Sequence, residues 1–191
     1  MEKKTVVGVV VRAGVIVGLV LGFLLLPLLV IEAQGLEIWC GGWMANAQDI
    51  DTVYGIGACF RLLERINKDG TVQTHVAIRS DMQSLDEEVS VIMSVLVAMI
   101  GVSDLISLGG MSRLGGKVAS QFMYVMASFF RLVGVVLGWT ALNLAATWRK
   151  TSRDTDAYTG TESSLGSGTI LLTLLALVSF CFPSWYGDPR F

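Results

Sequence analysis

The chain is poor in charge: Asp, Glu, Lys and Arg make up only 16% of its 191 residues. Soluble domains carry about 25%. Too little charge remains to coat a water-facing globule, which disfavours a disordered protein and an ordinary soluble enzyme. There is one histidine and there are three cysteines, so soft ligands are too few for a convincing zinc site. A net charge of −2 excludes a strongly basic nucleic-acid binder. There is no Walker-type glycine loop, no Asn-x-Ser/Thr sequon, no low-complexity tract and no long internal repeat. What the chain has in abundance is apolar surface, at 53% of residues.

That apolar content is concentrated. A membrane-spanning helix needs roughly 20 mostly apolar residues, and four segments qualify: about 6–31, 89–108, 122–147 and 164–183. The expected fold is an all-α membrane protein: one domain over 1–191, a four-transmembrane-helix bundle. The first segment follows Lys3 and Lys4 and has the outline of a signal peptide. Its apolar run is longer than a typical h-region, and Glu32-Ala33 is a poor cleavage site, so it reads as a retained helix.

The connections are unequal. Residues 32–88 form a long polar loop, 109–117 a short turn and 149–163 a medium loop. Lys3, Lys4, Arg12, Arg113 and Lys117 share one side of a four-span topology. The long loop carries ten acidic residues against Arg61, Arg65, Lys68 and Arg79. Basic residues favour the inner side, so both termini are expected in the cytoplasm and the long loop outside, in the plasma membrane or in an organelle membrane. Arg149, Lys150 and Arg153 run against that rule. Trp39, Trp43, Trp148, Trp185 and Tyr186 sit near segment ends, as interfacial aromatics do.

The long loop shows strand signals, so a small antiparallel sheet is expected over 32–88. Residues Gly35 to Cys40 alternate. Phe60, Leu62, Glu64 and Ile66 fall on one face of a second candidate strand. Asn67-Lys68-Asp69-Gly70 reads as a hairpin turn, and Val72, Thr74, Val76 and Ile78 alternate after it. Such a sheet has little core of its own. In an oxidising compartment a Cys40–Cys59 bridge would staple it, adding about 2–4 kcal/mol by constraining the unfolded loop. The alternative is two unrelated buried thiols. Cys181, inside the last span, reads as a packing residue.

Inside the spans, Gly14, Gly18 and Gly22 recur every four residues, as do Gly134 and Gly138, continued by Ala141 and Ala145. Small residues at this spacing let helix backbones approach closely. The contact is either within the bundle or a seam to another copy or another membrane protein. Asp104 and Arg131 are charges within spans, where an unpaired charge is costly. An Asp104–Arg131 ion pair between the second and third spans is expected; snorkelling of Arg131 and a polar transport pathway are the alternatives.

Catalytic signals are weak. Asp49-Ile50-Asp51 matches the Asp-x-Asp of some metal-dependent glycosyltransferases, but a solvated turn explains it. His75 has no nearby Cys or Ser to form a nucleophilic pair. Asp86-Glu87-Glu88 reads as a solvated helix N-terminus with favourable dipole contacts. No cofactor, metal site or catalytic residue is expected, and no nucleic-acid partner; the partners are the bilayer and other membrane proteins.

The layout resembles the claudin-like four-transmembrane superfamily, including the amastin-like surface proteins. Residues Gly35 to Cys40, followed by Cys59, are similar to a degenerate claudin Gly-Leu-Trp, Cys, Cys pattern, with Glu37 in place of its tryptophan. Cys40-Gly41-Gly42-Trp43 is similar to the amastin stretch in which a cysteine precedes a tryptophan, although the Trp-Gly step after Trp43 is absent. Leu137-Gly138-Trp139 and the stretch from Tyr158 to Gly168 resemble both families in layout. The resemblance implies four helices, inner termini, a sheet in a large first outer loop, and Cys40 and Cys59 as its disulfide. It leaves room for the family's first strands only if the first helix ends near Pro27. It implies a structural, adhesion or surface-interaction role. An accessory subunit of a larger membrane complex and a small channel or transporter are the competing readings.

Overall fold

The structure is a computed structural model that describes residues 3–33, 36–48, 50–55, 57–69, 80–111, 116–155 and 161–188. It is mostly helical. In chain order the elements are α1 (Lys3–Leu25), β1 (Leu29–Ala33), β2 (Leu36–Cys40), β3 (Met44–Ala47), β4 (Ile50–Tyr54), α2 (Ala58–Asp69), α3 (Ser80–Met111), α4 (Lys117–Thr155), β5 (Thr161–Leu165) and α5 (Ser167–Cys181).

Three of these helices are long and apolar enough to cross a membrane: α1, α3 and α4. This is compatible with an integral membrane protein. The fourth apolar segment forms α5, whose 15 residues rise only about 22 Å, short of the roughly 30 Å hydrocarbon core. Around the bundle, α1 packs on α3, α3 on α4, α4 on α5 and α5 back on α1. All four helices turn apolar side chains outward, among them Val10, Val17 and Leu25 of α1, Val91 and Leu105 of α3, Val125, Val136 and Trp139 of α4, and Leu174 and Phe180 of α5. Arg12, Ser103, Asp104, Ser107, Arg131, Thr169, Thr173 and Ser179 are buried instead. Apolar outside and polar inside is the arrangement that a lipid solvent favours.

The first helix ends six residues earlier than its composition implies. Pro27 has no N–H to continue a helix, and the apolar run beyond it pairs as β1 rather than coiling on. The sheet is fully antiparallel, in the order β4-β3-β2-β1-β5. Leu29 and Ile31 of β1, Leu36, Ile38 and Cys40 of β2, and Ala45 and Ala47 of β3 point inward. They join one core with Leu62, Leu63 and Ile66 of α2, Val89 and Met93 of α3, Ala141 and Ala145 of α4, and Leu172 of α5. The sheet therefore leans on the helix ends, as a sheet without its own core must.

Two expectations are corrected. Phe60, Leu62, Glu64 and Ile66 lie on a helix, α2, and not on a strand. Its buried residues, Cys59, Leu62, Leu63 and Ile66, follow the helical 3–4 spacing. The sheet also recruits β5 from the loop before α5, where the last span was expected to begin. Val72, Thr74, Val76, Ile78 and His75 lie outside the described residues, as do Asp49, Gly70 and Arg113.

The β1–α5 junction is tight. The N–H of Gly166 donates to Leu28 O at 3.1 Å and that of Gly168 to Pro27 O at 2.8 Å. Thr169 Oγ1 donates to the same Leu28 carbonyl at 2.6 Å. Leu28 N–H in turn donates to Cys40 O at 2.6 Å. One carbonyl-lined corner thus ties the end of α1, the start of α5 and the end of β2.

Candidate functional site

Three features could carry function: a clamp under the sheet, a buried polar network at the opposite end of the helices, and the outward face of the sheet.

At the clamp, Cys40 closes β2 and Cys59 opens α2. They form a disulfide with Cα atoms 5.0 Å apart across a separation of 19 residues. Both are buried. Cys181 is free and exposed, so it does not pack inside the bundle as expected. Asp86 is close by, and the sequence reading misplaced it. Helix α3 begins at Ser80, so Asp86 lies inside the helix and not before it. It is 2% exposed, between the buried Leu85 and Val89, while Glu87 and Glu88 are exposed. One carboxylate oxygen, Oδ1, has no hydrogen-bond partner. Asp86 lines a cleft of about 270 Å³ with Gly41, Gly42, Phe60, Ser90 and Ser94 among its walls.

In the polar network, Arg131 Nη2 donates to Asp104 Oδ1 at 2.6 Å and to Ser107 Oγ at 3.2 Å. Arg131 Nη1 donates to Phe182 O at 2.7 Å and to Ser184 Oγ at 3.3 Å. Ser179 Oγ donates to Asp104 Oδ1 at 3.3 Å. Arg131 is 2% exposed, so it does not snorkel toward an interface. Further members do not show in the sequence. Arg12 is buried and donates to the carbonyls of Tyr186, Pro183 and Ser184 at 3.0, 3.2 and 2.8 Å. Tyr124 OH donates to Asp188 Oδ2 at 2.5 Å. Ser128 and Ser184 hydroxyls meet at 2.7 Å. Together they fasten the segment 182–188, which follows α5, to α1, α3 and α4. Arg12 was visible as a charge within an apolar run, but its acceptors are backbone carbonyls more than 170 residues away, which no local pattern displays. With four of its guanidinium contacts made to fixed groups, Arg131 acts as a lock.

The glycine stripes meet within the chain. A Cβ on Gly18 would lie 3.1 Å from Leu175 Cδ1, and one on Gly22 3.2 Å from Leu172 Cδ2, both on α5. On Gly134 it would lie 2.4 Å from Ile100 Cδ1, and on Gly138 2.9 Å from Thr173 Cγ2. Gly14 departs from its stripe: a Cβ there meets nothing within 4 Å. It is exposed. We therefore expect Gly14→Leu to leave stability within about 0.5 kcal/mol and Gly18→Leu to cost about 1–3 kcal/mol by overpacking. Thermal melting of both variants in one mild detergent checks the contrast.

The outward face of the sheet is aromatic and acidic. Trp39 and Tyr54 are 41% and 62% exposed, with Trp43 beside them at 44%. Trp39 Nε1 donates to Glu37 Oε1 at 2.7 Å. Glu32 stands opposite Glu37 on one side and Glu162 on the other. Like charges at matched register, as at Glu32 and Glu37, destabilise a sheet, so this pair is not there for stability. No protein-family profile matches the chain, and no curated protein matches it.

Proposed function

We propose that the chain is a non-catalytic integral membrane protein that crosses the bilayer four times and acts by presenting its clamped sheet to a neighbouring membrane protein. The observation that carries this reading is the outward sheet face: Trp39 and Tyr54 stand exposed beside Glu32 and Glu37 and make no core of their own. Exposed aromatic groups on a rigid platform are the usual anchors of protein contacts. The fastening beneath them supplies the rigidity.

The fourth crossing uses α5 with its flanking residues. Its outward side chains, Ile170, Leu171, Leu174, Leu177, Val178 and Phe180, match the apolar surface of the three longer helices, and a short span is accommodated by local thinning of the bilayer. Both termini then lie on the cytoplasmic side and the sheet outside, at the plasma membrane. The claudin-like and amastin-like reading rests on the same features: a cysteine pair and a sheet in the large first loop.

The test is the native mass of the protein extracted from its own membrane in mild detergent, with identification of what travels with it. A small complex containing a partner, lost on Trp39→Ala plus Tyr54→Ala while the helical signal is kept, is the expected result. Co-migration with a large assembly of fixed stoichiometry that survives the double variant would make the chain a structural subunit and overturn the sheet as the contact.

A further inference from the structure

The Cys40–Cys59 bridge has an unexplained neighbour. Cys40 Sγ, Cys59 Sγ and a carboxylate oxygen of Asp86 lie within 4.8 Å of one another, all three residues buried. Asp86 is 2% exposed and its Oδ1 has no hydrogen-bond partner. A buried, unpaired acceptor costs stability, and a clamp made by a disulfide alone has no use for one.

We propose that Cys40, Cys59 and Asp86 form a thiolate–carboxylate site for a divalent, thiophilic metal ion of the zinc class, occupied when the cysteine pair is reduced. The pair then has two alternative clamps. When oxidised, a covalent bond ties β2 to α2. When reduced, the ion ties β2, α2 and α3 together, because Asp86 brings α3 into the site.

The chemistry balances with a dithiol as reductant. It gives two electrons and two protons and becomes its own disulfide; the Cys40–Cys59 bond breaks and two thiols form. The metal displaces both thiol protons. Two thiolates and the Asp86 carboxylate, three negative charges, then face two positive ones. Zinc takes sulfur at about 2.3 Å and carboxylate oxygen at about 2.0–2.2 Å, which spaces tetrahedral ligands by roughly 3.5–3.8 Å. The three ligand atoms lie within 4.8 Å of one another, so the two bonded sulfurs part and the carboxylate closes in by up to about 1 Å to meet that spacing. Asp86 also lines a cleft of about 270 Å³, which gives an ion a route to the carboxylate.

The same geometry argues against exchange with a protein thiol. Cys40 is 0% and Cys59 1% exposed, so a folded protein's thiol is too bulky to reach them, and the reductant is a small dithiol or phosphine admitted as the clamp opens. The site does not rest on the interaction role proposed above; with the sheet outside, the bridge is oxidised and the ion binds only where a small dithiol reaches the loop.

The experiment uses the full chain in mild detergent with Cys181→Ser, which removes the exposed thiol. The protein is reduced with a phosphine without oxygen and titrated with Co2+. Expected is one Co2+ per chain with a sulfur-to-cobalt charge-transfer band, displaced by Zn2+, and no such band in oxidised protein. Asp86→Asn should weaken binding about tenfold or more, at least the loss seen for metal-site supporting groups. Comparison of the oxidised and reduced protein needs no variant at Cys40 or Cys59, so misfolding of Cys40→Ser does not obscure it. The proposal is overturned if reduced protein binds no more Co2+ than oxidised protein, or if Asp86→Asn binds as tightly as the parent. It is also overturned if reduction unfolds the chain and neither Co2+ nor Zn2+ restores it.

Discussion

Replacing Arg131 by methionine is expected to cost the folded chain about 3–5 kcal/mol, because it leaves the buried Asp104 carboxylate without its counter-charge. Asp104 would retain only the long Ser179 contact at 3.3 Å, and Phe182 O would lose its donor. Double replacement, Asp104→Leu with Arg131→Met, removes both charges and is expected to recover part of that loss. The recovery is incomplete, because the carbonyl of Phe182 and the Ser107 hydroxyl stay unpaired. A double charge reversal is expected to restore less, since an arginine at 104 would face the already buried Arg12 and an aspartate at 131 would face the Phe182 carbonyl. Unfolding followed by helical signal during denaturing-detergent titration separates these cases. Full stability in Arg131→Met would show that the pair holds nothing.

Gly166→Ala is the second large effect. Here a single methyl group meets backbone: a Cβ would lie 2.0 Å from Pro27 O and 2.7 Å from Leu28 C. Backbone conformation is no obstacle, because φ at Gly166 is −73°. The obstacle is the close approach of α5 to the end of α1. Relief requires moving α5 away from Pro27, which breaks the Gly166–Leu28 and Gly168–Pro27 hydrogen bonds and opens the β1–β5 edge. The expected loss is about 3 kcal/mol or more, at the upper end of overpacking costs. Gly14→Ala, with open space around it, serves as the control. Melting temperatures of the two variants in the same detergent check the difference.

The parts of the fold that read from sequence are those fixed by solvent preference. Long apolar runs place α1, α3 and α4, and the cost of an isolated charge singles out Asp104 and Arg131. The alternation from Gly35 to Cys40 marks β2. What did not read is set by distant partners. Thr161-Glu162-Ser163-Ser164-Leu165 has no strand pattern; pairing with β1 imposes the conformation. Phe60, Leu62, Glu64 and Ile66 fit a strand period, while Cys59, Leu62, Leu63 and Ile66 fit a helix, and short segments leave both open. Adding Leu63 to the pattern would have favoured the helix. The end of α1 was hidden by the apolar character of Leu28 to Ile31, with Pro27 as the one signal. Asp86 reads as preceding the helix because the charged run Asp86-Glu87-Glu88 masks a helix that already starts at Ser80.

The most direct measurement is photo-crosslinking in the native membrane from a benzophenone amino acid placed at Tyr54 in one experiment and at Val136 in another. Both positions are exposed, at 62% and 56%, one on the sheet and one on the outer surface of α4. A discrete protein adduct from Tyr54 and lipid adducts from Val136 are predicted. Protein adducts from Val136 with none from Tyr54 would contradict the sheet as the contact surface and place the interface on the helices instead.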